Sequence, residues 1–135
     1  MVIVNYVAIL VAGIASMIIG MAWYSPNFFG KKWMHAIGMK MPNKSEMKAM
    51  QKKMMPSYLA MYVGAAVTAY VLSLLLGNHT LMDGVMLGFW VWLGFFATSA
   101  LSHVFFEGRS WTYYYVVVGH HLVNLIVMGA IIGSL

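Results

Sequence analysis

Residues 82–134 read MDGVMLGFWVWLGFFATSALSHVFFEGRSWTYYYVVVGHHLVNLIVMGAIIGS. Two long apolar runs meet there at one polar tetrapeptide, Glu107-Gly108-Arg109-Ser110. A helix resting on a soluble core would show a polar face at helical spacing. The strands of a membrane barrel would alternate over segments of about ten residues. Neither pattern is present. Each run, taken as a helix rising 1.5 Å per residue, is long enough to cross the hydrocarbon core. A connection this short forces antiparallel neighbours. The stretch therefore predicts a transmembrane hairpin, with spans over 82–106 and 111–134.

The same reading extends upstream. Gly77 to Leu81 is a tight turn, and before it lies an apolar run over 56–76 that opens on Pro56, a residue suited to the first turn of a helix. Gly77-Asn78 supplies its stop. A first run covers 2–24 and ends on Trp23-Tyr24-Ser25-Pro26, an interfacial ending. It has no basic segment before it and no small-residue cleavage site after it, so it reads as a span and not as a signal peptide. Composition agrees. Only 8% of the 135 residues are charged, where a soluble domain carries roughly a quarter, and the mean hydropathy is +0.80. The expectation is a single integral membrane domain over 1–135: all-α, four transmembrane helices in an antiparallel bundle. With no cysteine, a disulfide framework and a thiolate metal site are both excluded.

The net charge of +5 does not point to nucleic acid. Seven of the eight basic residues lie between Lys31 and Lys53, in the first connection, and the eighth is Arg109 in the third. Two crossings separate these connections, so all eight fall on one side. The positive-inside rule makes that side cytoplasmic and puts both termini outside. The expected partner of the basic face is a bilayer with anionic headgroups. Within the connection, Asn43 and Glu46 have capping-box spacing. Met47, Met50 and Met54 then share one helical face, while Lys44, Lys48 and Lys52 share another. Residues 43–55 thus predict a short amphipathic helix in the interface. Trp23, Phe28, Phe29, Lys31, Trp33, Lys48, Lys52, Arg109 and Trp111 read as interfacial anchors.

Two patterns carry two readings each. Phe28-Phe29-Gly30-Lys31-Lys32-Trp33 echoes Phe105-Phe106-Glu107-Gly108-Arg109-Ser110-Trp111. Either two helical hairpins form a parallel repeat, or both segments converged on anchoring chemistry. Small residues form a stripe on every span: Ala8, Ala12, Ser16 and Gly20; Ala65, Ala69 and Ser73; Gly84 and Gly88, then Gly94, Thr98 and Ser102; Gly129 and Gly133. Such stripes let backbones approach closely in lipid. They serve either packing inside the bundle or self-association into a homo-oligomer or a membrane complex.

Polar groups inside the membrane are costly, so a functional site is sought among them. The fourth span carries His120, His121 and Asn124. His120 and Asn124 share a face, while His121 points about 100° away from His120. The third span carries Ser99, His103 and Glu107 at successive steps of four, and Asp83 lies in its first turn. These groups are read as structural hydrogen-bonding residues, as a proton or ion pathway, or as metal ligands. No metal-ligand spacing is present, and His103 and His120 differ in depth by roughly 9 Å, which disfavours a bis-histidine haem. No cofactor and no metal is expected. Phosphate loops and nucleophile elbows are absent from the sequence, and its three acids are Glu46, Asp83 and Glu107, so an enzyme has no support.

Several pieces together resemble one family. They are Trp23-Tyr24-Ser25-Pro26 with Phe29-Gly30-Lys31 and Trp33, then Asp83-Gly84, Trp92-Leu93-Gly94-Phe95, Phe106-Glu107-Gly108-Arg109, and His121-Leu122 followed by Met128-Gly129-Ala130. In this order, spread over nearly the whole chain, they resemble bacterial membrane proteins grouped as domain of unknown function 1761. The basic connection is the poorly matching part. The resemblance implies a four-helix membrane protein and no particular activity. It ranks His121, Glu107, Arg109 and Asp83 above His120, which stands where the family pattern has an aromatic residue. The expected role is that of a non-enzymatic accessory or assembly subunit acting through helix packing. The alternative is a small homo-oligomeric channel or transporter whose path is lined by the polar residues of the third and fourth spans.

Overall fold

The computed structural model describes residues 4–40, 43–77 and 80–135. Its helices are α1 (Tyr6–Trp23), α2 (Gly30–Ala36), α3 (Lys44–Lys53), α4 (Met55–Leu76), α5 (Leu81–Val91), a π-helical turn (Trp92–Ala97), α6 (Leu101–Phe105) and α7 (Trp111–Ser134). Among the described residues there is no strand. Four spans are long and apolar enough to cross a membrane: α1, α4, the composite Leu81–Phe105 and α7. They form the expected bundle. The run that begins at Val2 and the Asn78 stop lie partly outside the described residues; Gly77 itself closes α4 with a φ of 69°.

The bundle is organised around α7, which packs on α5, α1 and α4 and also meets α2. Its core is small and apolar: Ile9 and Ala12 from α1, Ala69 and Leu72 from α4, and Leu125, Met128 and Ile132 from α7. The closest contact is between α5 and α7. A Cβ built on Gly84 would fall on the Gly129 carbonyl, one on Gly88 on the Leu125 carbonyl, and one on Gly133 on the Thr80 carbonyl. Lipid gives no hydrophobic drive between helices, so this backbone-on-backbone approach supplies the dispersion contact that holds the pair. Ala8, Ala12, Ala69 and Ser73 are likewise buried. These stripes serve the inside of the bundle.

Helix termini follow local chemistry. Asn43 caps α3 and Glu46 returns the bond to the Asn43 amide, which completes the capping box expected there. Thr80 and Asp83 form a second box at α5 that the sequence reading passed over. The Thr-x-x-acid spacing before an apolar run was its signal. Asn5 caps α1 and donates from Nδ2 to the Leu135 carbonyl at 3.2 Å, tying the start of the first span to the end of the last.

The third span departs from the uniform helix expected over 82–106. After Val91 the backbone widens into the π turn and then breaks its ladder around Thr98–Ala100. The Leu101 amide bonds to Thr98 at 3.3 Å, and the Ala97 carbonyl accepts the Tyr114 hydroxyl at 2.7 Å. Hydroxyls take up other carbonyls: Thr98 to Gly94 at 2.9 Å, Ser102 to Ser99 at 3.0 Å, and Ser99 to Phe95. In lipid a freed carbonyl must find a donor inside the protein, and this stretch supplies one at each of these positions.

The two segments of the suggested repeat differ in backbone. Gly30 sits in a tight return at the start of α2, where a Cβ would collide with the Tyr24 and Ser25 carbonyls. Gly108 has a φ of 71° and open space around it. One glycine answers to crowding and the other to a left-handed turn.

Candidate functional site

The polar residues singled out in the sequence fall into three separate places. Asp83 caps α5 at the end of the bundle remote from the lysines. His103 and Glu107 touch through Nδ1 and Oε2 at the basic end, the one ion pair among the described residues. The Arg109 guanidinium lies 5.1 Å from the centre of the Tyr113 ring, and the His103 ring lies 6.0 Å from it. The Arg109 amide also bonds back to the His103 carbonyl at 2.9 Å. This cluster closes the turn between α6 and α7 and is half exposed.

The third place is inside the membrane, roughly 14 Å along α7 from Trp111. His120 and Asn124 stand one turn apart on the same face. His120 Nε2 and Asn124 Oδ1 are both buried and have no hydrogen-bond partner. The imidazole of His120 faces α1: the Tyr24 ring centre is 5.3 Å away, that of Trp23 6.4 Å, and a Cβ on Gly20 would lie 3.6 Å from Nε2. His121 turns toward the third span and stacks on Phe96 at 4.6 Å. The two histidines thus serve different seams, although their ring centres lie 5.1 Å apart.

Aromatic side chains frame this region. Trp23 stacks against Phe29 at 4.6 Å and meets Phe28 at 5.3 Å; Tyr24 meets Trp33 at 5.4 Å. The cluster seats α2 on the bundle, with Lys31 and Lys32 exposed beyond it. Trp23 also reaches inward. Its indole N–H donates to the Val116 carbonyl at 2.9 Å, and the Trp92 indole donates to the Val118 carbonyl at 2.8 Å. Two indoles on different spans therefore grip α7 within one turn, just below the histidines. The sequence offered no signal for this, since a tryptophan near a span end serves a headgroup as readily as a neighbour's carbonyl. At the same end Trp111 packs with Phe105, Tyr114 and Tyr115, and Lys48 and Lys52 stand exposed on α3.

The chemistry available here is limited. No group of three metal-ligating side chains occurs among the described residues. Two open grooves lie away from the histidines. One, of about 540 Å³, runs past Asn5 and Ser73, and the other, of about 290 Å³, lies between Tyr6, Tyr62 and Tyr70.

The family model described as "Protein of unknown function (DUF1761)" matches residues 7–133, nearly the whole chain. The chain belongs to the DUF1761 family. The resemblance read from scattered motifs is thereby established. No curated protein and no solved structure matches this DUF1761 chain.

Proposed function

We propose that this DUF1761 protein is a non-enzymatic packing subunit of the membrane, which associates with a second copy of itself through the outward face of its third span. One observation carries the reading. Every other small-residue stripe has members turned inward, but Gly94, Thr98 and Ser102 are exposed, and a Cβ on Gly94 would meet nothing within 4 Å. The same kind of surface that brings α5 against α7 is presented to the outside. Large side chains flank it, with Phe95 71% exposed and Phe105 66% exposed. Small residues between bulky ones form a groove that another helix fits.

The channel reading gains less support. The core cluster is apolar, the buried unpartnered atoms being confined to His120 and Asn124 among the described residues, and the hydroxyls of Thr98, Ser99 and Ser102 are bonded to carbonyls of their own span. Such hydroxyls need no water column.

The chain contains no cysteine, so single cysteines report cleanly. In native membranes, Thr98→Cys is expected to form a disulfide-linked dimer under mild oxidation, whereas Met61→Cys, on the exposed face of α4, is not. Equal cross-linking at both positions, or none at Thr98, sinks the reading. The subunit is further proposed to sit in a bacterial inner membrane with its basic end in the cytoplasm, because all eight basic residues gather there. Ser134→Cys should then react with an impermeant maleimide in intact spheroplasts. Reaction only after permeabilisation reverses the orientation.

A further inference from the structure

The two short helices of the basic connection are attached to the bundle in different ways. α2 is seated by the aromatic cluster around Trp23 and packs on α7. α3 packs on α4, which it joins at its C-terminal end. Met54 is at once its C-cap and the residue before α4, and its amide bonds to the Met50 and Gln51 carbonyls. Along α3 itself no residue is buried. Its fold does not depend on packing, because the Asn43–Glu46 box closes its first turn and Lys52 and Lys53 sit favourably in its last.

Its faces are unequal. Met47, Met50 and Met54 occupy an arc of about 60° on an ideal helix. Lys44, Lys48 and Lys52 form a row beside it, and Glu46 is the one acid on the helix. Three methionines on so narrow an arc are too little apolar surface to hold a helix in lipid unaided. At Met54 the helix adjoins the first turns of α4, where Met55 is 62%, Leu59 67% and Met61 63% exposed. Those side chains stand at the start of a membrane span, so the surface next to the methionines is lipid.

We infer that α3 is a prefolded arm that docks on an anionic bilayer surface, held by its lysine row and released when the surface charge is removed. The occupant of its face is lipid because α3 joins a membrane span directly at Met54 and its charge complements anionic headgroups. Charge sets the strength of docking, and the methionines set its orientation. The inference is independent of the proposed dimer, which uses another span.

The test uses the full chain with one cysteine, Met50→Cys or Lys48→Cys, carrying an environment-sensitive fluorophore. Each is reconstituted into phosphatidylcholine vesicles with or without phosphatidylglycerol. Residue 50 is expected to shift its emission to the blue and to resist iodide quenching on the anionic vesicles, and to lose both in high salt. Residue 48 should stay accessible throughout. Each lysine changed among Lys44→Gln, Lys48→Gln and Lys52→Gln should weaken docking about fivefold. Equal accessibility of residues 50 and 48 on every vesicle overturns the inference. So does shielding of residue 50 that ignores lipid charge and the lysine changes. If that shielding is lost when the protein is diluted into excess lipid, the face is covered by a second copy instead.

Discussion

The two halves of the third span are built from similar residues and meet opposite environments. Gly84 and Gly88 in α5 lie directly against carbonyls of α7, while Gly94, Thr98 and Ser102 beyond Val91 face outward. Gly94 follows Gly88 by six residues, about 240° round an ideal helix, and it lies within the π turn over Trp92–Ala97. A π bulge changes the phase of every residue after it. The second stripe therefore starts off the α7 seam, and the π turn alters its phase further. The lesson is that small residues in a membrane helix specify closeness, and their position round the helix decides to what.

The contrast can be broken most directly at Gly84. Gly84→Ala places a methyl on the Gly129 carbonyl and must push α5 from α7. A loss of about 3 kcal/mol is expected, read from unfolding of the detergent-solubilised protein in a denaturing detergent titration. A neutral result would mean that the α5–α7 approach is looser than described. Next in size is Tyr114→Phe. It leaves the Ala97 carbonyl without its donor and should cost about 1 kcal/mol by the same titration. If stability is unchanged, the break after the π turn is satisfied in some other way. Smallest is Gly94→Ala, which meets open space and removes glycine's entropic penalty. Monomer stability should rise by up to about 1 kcal/mol. The same change should weaken Thr98→Cys cross-linking, because the methyl intrudes on a second copy. A gain in stability with undiminished cross-linking would place the dimer contact elsewhere.

The fold was legible where membrane physics acts over long stretches. Four apolar runs and two short connections left one antiparallel arrangement, and the Asn43–Glu46 spacing foretold a box that forms. The π turn was not legible, because a span that is apolar on every side has no periodicity for an inserted residue to disturb. Phe95, Phe96 and Ala97 read identically in either phase. The inward reach of Trp23 and Trp92 was hidden for a related reason: an indole's partner is a carbonyl, and every residue has one. At the polar positions, the spacing of His120 and Asn124 placed both on one face, and both indeed present a buried unpartnered atom. That the neighbours of His120 would be Gly20, Trp23 and Tyr24 depended on which span lies beside α7, which spacing within one helix cannot say.

The single-residue joint at Met54 links two lengths that are otherwise unrelated. α4 rises about 33 Å over its 22 residues and α1 about 27 Å over its 18. An arm resting on the headgroups fixes the level at which α4 enters the hydrocarbon. In a thinner bilayer α4 would have to tilt or lift the arm away, whereas α1 would fit unchanged. With the arm docked as inferred, the joint would make it a depth stop, through which membrane thickness, as well as surface charge, would bear on how the four spans stand against one another.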